Sequence, residues 1–183
     1  MNPILYFLRS SEQKIATDML RYAMRLDALG KTLEELPELR VREAQYGLSR
    51  RDLGLYALAG HEVAGAAWIR LLDAADHVPG VIDEQTPLLT IGVKPQFRNC
   101  GVGSAMMEQL LVEAGALYEQ VSVSVLADSP AVRFYERFGF VRVAGSEGQS
   151  PVDGSEIFTM VRTLEKAAVR RPSEGYDPTY WMD

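Results

Sequence analysis

Residues 88–111 read LLTIGVKPQFRNCGVGSAMMEQLL. "LLTIGV" (88–93) is a short apolar run with Pro95 close behind it, and it reads as a mostly buried strand. Gly92 within the run invites a bulge. From Gly101 onward, Val102, Met106 and Leu110 recur at helical spacing beside Met107, Leu111 and Ala114, which predicts a helix with one apolar face. "QVSVSVLA" (120–127) then alternates with period two and is a second strand. Strand, basic glycine turn, helix and strand make a βαβ unit over 88–127.

Upstream, "ILYFL" (4–8) reads as a first strand, and Ser10 with Gln13 resembles a capping box. Ile15, Met19, Tyr22 and Leu26 line one face of the helix that follows, and Gly30 is placed to end it. Residues 31–52 are polar, with a short helix interrupted by Pro37 as the expectation. "GLYALAG" and "EVAGAAWIRLL" form a hairpin turning at Gly60 and His61, and a loop rich in acidic residues runs from 73 to 87.

Downstream, "SPAVRFYERFGF" is a short helix with Pro130 in its first turn and Gly139 just past its end. "GFVRVAG" and "EIFTMVRTL" close the domain as an antiparallel pair. The fold class is therefore α/β (mixed α+β), one domain over 1–166 followed by a tail, 167–183, that holds Tyr176, Tyr180 and Trp181. That tail packs on its own domain, frays, or joins a homodimer.

A net charge of -6 disfavours broad attraction to nucleic acid or to an anionic membrane surface, and its sign suits an amine substrate. Cys100 is the single cysteine, so neither an internal disulfide nor a cysteine metal cluster is expected. With no segment near the roughly 20 apolar residues of a membrane helix, and no basic leader, the expectation is a cytoplasmic protein.

The turn itself poses the functional question. "RNCGVGS" (98–104) offers seven backbone N–H groups, two glycines without obstructing side chains, the Arg98 cation and a helix start. Such a turn can cradle phosphates, or it can be a plain tight connection. A Walker A loop requires a lysine that Gly103-Ser104-Ala105 lacks. A dinucleotide fingerprint has its third glycine replaced by Met106, and seven residues separate Val93 from Gly101 where the glycines should follow the strand at once.

Arg98-Asn99-Cys100-Gly101-Val102-Gly103 resembles the R-x-x-G-x-G/A turn with which GNAT-superfamily N-acetyltransferases bind the pyrophosphate of coenzyme A. "LLTIGVKP" looks like the fourth strand of that family, and Ala131, Phe134, Tyr135, Gly139 and Phe140 match its A-x-x-F-Y-x-x-x-G-F pattern. The likeness covers roughly 86–143, and its pieces are specific through their order and spacing. It implies a GNAT-type acyltransferase fold, a central mixed, mostly antiparallel twisted sheet flanked by helices, and acetyl transfer from acetyl-CoA to an amine acceptor without a metal.

By the same resemblance, Ile91 and Val93 supply free strand N–H groups to the thioester end of the cofactor. Arg98, Asn99, Cys100, Gly101, Val102, Gly103 and Ser104 form the phosphate turn, and Tyr135 is the general acid. A phenol near pKa 10 is a sensible donor to a thiolate leaving group. Asp128 stands where relatives carry asparagine, and capping the next helix, as Ser129 also can, suits it better than contact with anionic coenzyme A. No base is evident: His77, Asp76, Asp83 and Glu84 lie in the preceding loop, and a lone loop histidine is more often solvated than catalytic. The competing readings are a coenzyme A-binding regulatory module without turnover and a dinucleotide-dependent oxidoreductase.

Overall fold

A computed structural model describes residues 2–166, so the aromatic tail expected over 167–183 lies outside the described residues. An eight-stranded sheet runs in the order β1-β2-β3-β4-β5-β8-β6, with β7 on β8. The strands are β1 (Ile4–Phe7), β2 (Leu53–Ala59), β3 (Glu62–Arg70), β4 (Leu88–Val93) and β5 (Gln120–Leu126), followed by β6 (Val141–Arg142), β7 (Gly148–Gln149) and β8 (Glu156–Thr163). Every pairing is antiparallel except β4 with β5. That one parallel step follows from the βαβ unit, whose crossover helix α3 (Val102–Ala114) returns the chain in the same direction. The sheet is mixed and mostly antiparallel, as the sequence pattern and its resemblance imply.

Alternation on β3 splits the core into two layers. Ala67 and Ile69 join α3 residues Val102, Met106 and Leu110 on one face. Ala66 and Trp68 face the other way, against Ala16, Met19 and Leu20 of α1 (Gln13–Ala23). A strand buried on both faces reads as a continuous apolar run, and "VAGAAWI" is one.

Three local expectations need correcting. The N-terminal box is set one residue earlier: the Arg9 N–H donates to Glu12 at 2.9 Å, and a 3₁₀ turn over Ser10–Glu12 leads into α1. The first helix also does not run unbroken to Gly30. It stops at Ala23, Arg25 turns left-handed at φ 58°, and a four-residue α2 (Leu26–Leu29) ends at Gly30 with φ 64°. Finally, Pro37 opens a 3₁₀ turn over Pro37–Arg42 instead of interrupting a helix, consistent with its fixed φ and missing N–H at a first turn.

The polar stretch 31–52, unreadable from periodicity, is held by buried polar anchors. Glu43 is fully buried and accepts from Thr17 Oγ1 at 2.7 Å, Arg40 Nε at 2.7 Å and Gln13 Nε2 at 3.2 Å, tying the 3₁₀ turn to α1. Trp68 Nε1 donates to the Arg42 carbonyl at 2.7 Å, and Arg70 Nη1 donates to the carbonyls of Val41 and Ala44 at 3.2 and 2.7 Å. Tyr46 donates its hydroxyl to the Leu8 carbonyl at 3.1 Å. Each anchor satisfies a buried or half-buried carbonyl or carboxylate that would otherwise lack a protein partner.

Candidate active site

The strand β4 is shared between two neighbours that treat it differently. With β3 it pairs without a break from Arg70↔Leu88 to Gly65↔Val93. With β5 it makes the single pair Leu88↔Ser122, closed by the Ser122 N–H on the Pro87 carbonyl at 3.1 Å. Past that point the two parallel strands diverge. The bulge expected at Ile91–Gly92 is absent from the β3 register, and the edge is freed by this splay instead.

Which N–H groups lie on the freed edge follows from alternation. The Lys94 N–H donates to the Ala64 carbonyl on the β3 side at 2.8 Å, so Gly92 and Thr90 also face β3. The intervening Ile91 and Val93 face the side from which β5 has departed. Gly92 serves another purpose: a Cβ there would sit 2.6 Å from the Met19 carbonyl oxygen, so the glycine lets α1 lie directly on the strand.

Beyond β4, a 3₁₀ turn over Pro95–Phe97 leads to the glycine turn. Asn99 and Gly101 adopt left-handed φ values of 58° and 84°, and α3 begins at Val102. The first α3 N–H taken by a chain carbonyl is that of Ala105, donated to Gly101 at 3.0 Å. Those of Val102, Gly103 and Ser104 find no acceptor among the described residues and point off the helix N-terminus, where the backbone dipoles favour an anion. A Cβ at Gly101 would meet nothing within 4 Å, so the space over the turn is open.

Arg98 is less free than expected. Its Nε donates to the Val93 carbonyl at 3.0 Å and its Nη2 lies 3.6 Å from Asp27 of α2, which lays the guanidinium along the end of β4. Cys100 is exposed and its Sγ leans on the Arg98 carbonyl at 3.3 Å, so any role it has in the turn falls to its backbone.

Between the splayed strands opens a cavity of about 180 Å³. Thr90 and Ile91 of β4, Val123 and Val125 of β5, and Tyr135 of α4 (Ala131–Arg137) form part of its wall. Tyr135 is the buried residue of its helix, 6% exposed, while Phe134 and Phe138 are partly covered. Its ring packs edge-on against Phe134 and Phe140, with centroids 5.5 and 5.4 Å away. Its hydroxyl has no hydrogen-bond partner among the described residues, and burial pushes its pKa well above the usual tyrosine value. A phenol so placed keeps its proton at neutral pH.

Other candidates separate from this group. Ser129 Oγ caps α4 by accepting from the Ala131 N–H at 3.1 Å, while Asp128 is exposed and does not line the cavity. His77, Asp76, Asp83 and Glu84 are exposed and line no part of it. Sequence reasoning missed Arg25, Arg42 and Asp153, which do line it and come from the segments with the weakest patterns. Among the described residues no cluster of His, Cys, Asp and Glu is arranged to hold a metal, and no helix is long and apolar enough to cross a membrane.

The acetyltransferase (GNAT) domain model matches residues 50–142, just over half of the 183-residue chain. The chain belongs to the GNAT acetyltransferase family. That span holds β4, the glycine turn, α3, β5 and α4, the elements that build the splay.

Solved structures share the GNAT fold over almost the whole chain. An acetyltransferase of the GNAT family from Streptococcus pneumoniae aligns at TM-score 0.65 and 18% identity, covering 90% of this chain and 100% of its own. The ribosomal-protein-S18-alanine N-acetyltransferase from Escherichia coli gives 0.62 and 15%, covering 92% and 98%. A phosphinothricin acetyltransferase from Sinorhizobium meliloti, solved with acetyl-CoA, gives 0.63 and 16%, covering 97% of each chain. At these identities the likeness is one of fold. No curated protein matches the chain. This GNAT protein is thus an N-acetyltransferase by family, with a cavity whose acceptor must be read from its own residues.

Proposed function

We propose that this protein takes acetyl-CoA as donor and passes the acetyl group to a primary amine of a small molecule or peptide, by direct attack in a ternary complex. The observation that carries the reading is one convergence. Ile91 on the freed edge of β4 and Tyr135 line one cavity, and the turn with the unclaimed α3 N–H groups is tied to the end of that edge, where Arg98 Nε donates to the Val93 carbonyl at 3.0 Å. Donors at one end suit a pyrophosphate, donors at the middle suit an acyl oxygen and its amide-bearing arm, and a neutral phenol suits a departing thiolate.

In this reading the N–H groups of residues 99–104, with Arg98, hold the pyrophosphate. The Gly101-Val102-Gly103 turn offers open space for that contact, since nothing lies within 4 Å of a Cβ built at Gly101. Ile91 and Val93 orient the carbonyl of the donor, which supplies an activated acetyl thioester. A neutral amine forms the new C–N bond as the C–S bond breaks. The Tyr135 proton passes to the sulfur, and the proton shed by the new amide nitrogen leaves to solvent. Tyr135 then regains a proton from water, so an amine and acetyl-CoA give an amide and free coenzyme A thiol. No carboxylate need act as base if the amine arrives neutral.

Thiol release from acetyl-CoA over a panel of amines and peptides tests the reading. Tyr135→Phe is expected to lower kcat by about 10²- to 10⁴-fold while acetyl-CoA binding, measured by calorimetry, stays within about twofold. Unchanged turnover would remove Tyr135 from the chemistry. Saturable acetyl-CoA binding with no thiol release from any acceptor would mark a regulatory binding module instead.

A further inference from the structure

Arg42 is a buried cation that neither the packing nor the proposed chemistry explains. It is 6% exposed, and among the described residues its guanidinium forms no ion pair within 4 Å and no hydrogen bond, although the Glu38 carboxylate is near enough to act on it electrostatically. Its neighbour Glu43, fully buried, has three donors. The Arg42 nitrogens are not among the sealed, unpartnered atoms of the core, so they keep contact with open space, and the residue lines the cavity that Tyr135 also borders.

The placement is enforced by the backbone. The Arg42 carbonyl is held by Trp68 Nε1 at 2.7 Å, and the flanking Val41 and Ala44 carbonyls by Arg70. Burial pulls its pKa down to about 10 against the opposing pull of Glu38, which leaves it charged at neutral pH. A desolvated charge without a hydrogen-bonded partner is costly, and an anion entering the cavity would offset that cost.

Two further features narrow the anion's carrier. Arg25 lines the same cavity, and Asp153, which accepts the Ser155 N–H at 3.0 Å, is the single carboxylate among the lining residues. The lining is therefore cationic inside a chain of net charge -6, which disfavours a polyamine. A volume of about 180 Å³ also lies below the roughly 300–1,000 Å³ of pockets for drug-sized ligands. We propose that the acceptor is a small amine that also carries a carboxylate, an amino acid, with the carboxylate paired to Arg42 and the amine presented toward Tyr135 and β4. This rests on the acetyl-transfer reading and names its substrate class.

The test compares free amino acids with their methyl esters and with the corresponding decarboxylated amines, using acetyl-CoA and thiol release. Removing the carboxylate should lower kcat/KM by about 10- to 100-fold, the value of one charge-assisted pair. Arg42→Gln should shrink that discrimination to within about twofold, and Arg42→Lys should keep part of it. An unaltered acetyl-CoA dissociation constant in both variants verifies that they fold. Equal turnover of acids and esters by the parent protein overturns the proposal, as does undiminished discrimination in folded Arg42→Gln. If no amine is acetylated, the acetyl-transfer reading fails, and thermal stabilisation decides the site separately. Stabilisation by amino acids but not by their esters, lost in Arg42→Gln, supports the carboxylate site; stabilisation by none overturns it.

Discussion

Two glycines two residues apart do different work. Gly101 sits at φ 84° with empty space around a hypothetical Cβ, so its requirement is conformational. Gly101→Ala is expected to lower the unfolding free energy by about 1 kcal/mol, read by urea denaturation. Gly103 is inside the first turn of α3, and a Cβ there would touch Phe134 at 3.6 Å, an ordinary contact. Gly103→Ala should therefore leave stability equal or slightly raised, by up to about 1 kcal/mol. A loss at 103 as large as at 101 would contradict this division. Sequence alone cannot separate the two, because both are glycines in one motif and only the backbone angles distinguish them.

Among the elements, β4 and the 3₁₀ turn over 37–42 carry the site, the first seated by one close backbone contact and the second by a set of hydrogen bonds. α1 rests on β4 at Gly92, where a Cβ would lie 2.6 Å from the Met19 oxygen and 2.9 Å from the Ala23 nitrogen, both backbone atoms. Gly92→Ala must push the helix off the strand, and a loss of about 2 kcal/mol or more is expected in thermal unfolding. The 3₁₀ turn has no apolar repeat to place it; it is held by the donors on Glu43 and on the carbonyls around Arg42. Periodicity could find β4 and α3, whose apolar faces are regular. It could not find the seat of Arg42, because hydrogen bonds between residues 26 positions apart leave no local pattern.

For the whole molecule, three buried phenols tie stability to alkaline pH. Burial raises the pKa of Tyr135 and of Tyr118, and burial with nearby Asp52 raises that of Tyr46. All three hold their protons more tightly in the native state than in the unfolded chain. Their contribution is whole below the unfolded tyrosine pKa of about 10 and is lost as pH climbs from there toward the folded values. Arg42, with its pKa lowered, works in the opposite sense over the same range. The clean observable is thus a variant comparison: Tyr135→Phe should flatten the fall of stability above pH 10 by up to about 1.4 kcal/mol per pH unit. A parallel pair of stability curves for parent and variant would exclude a raised phenol pKa.

The sequence by itself determined the βαβ unit, the hairpin that precedes it and the family, since these rest on local periodicity and on motifs read along the chain. The tertiary structure alone decided three things. The β4 edge is freed by parting from β5 and not by a bulge in the β3 register. The Tyr135 ring is the buried member of its helix. A charged residue from an unpatterned stretch enters the cavity that this tyrosine borders. All three depend on how segments distant in sequence meet, and the direction in which a strand diverges or a side chain is enclosed is set by its neighbours in space.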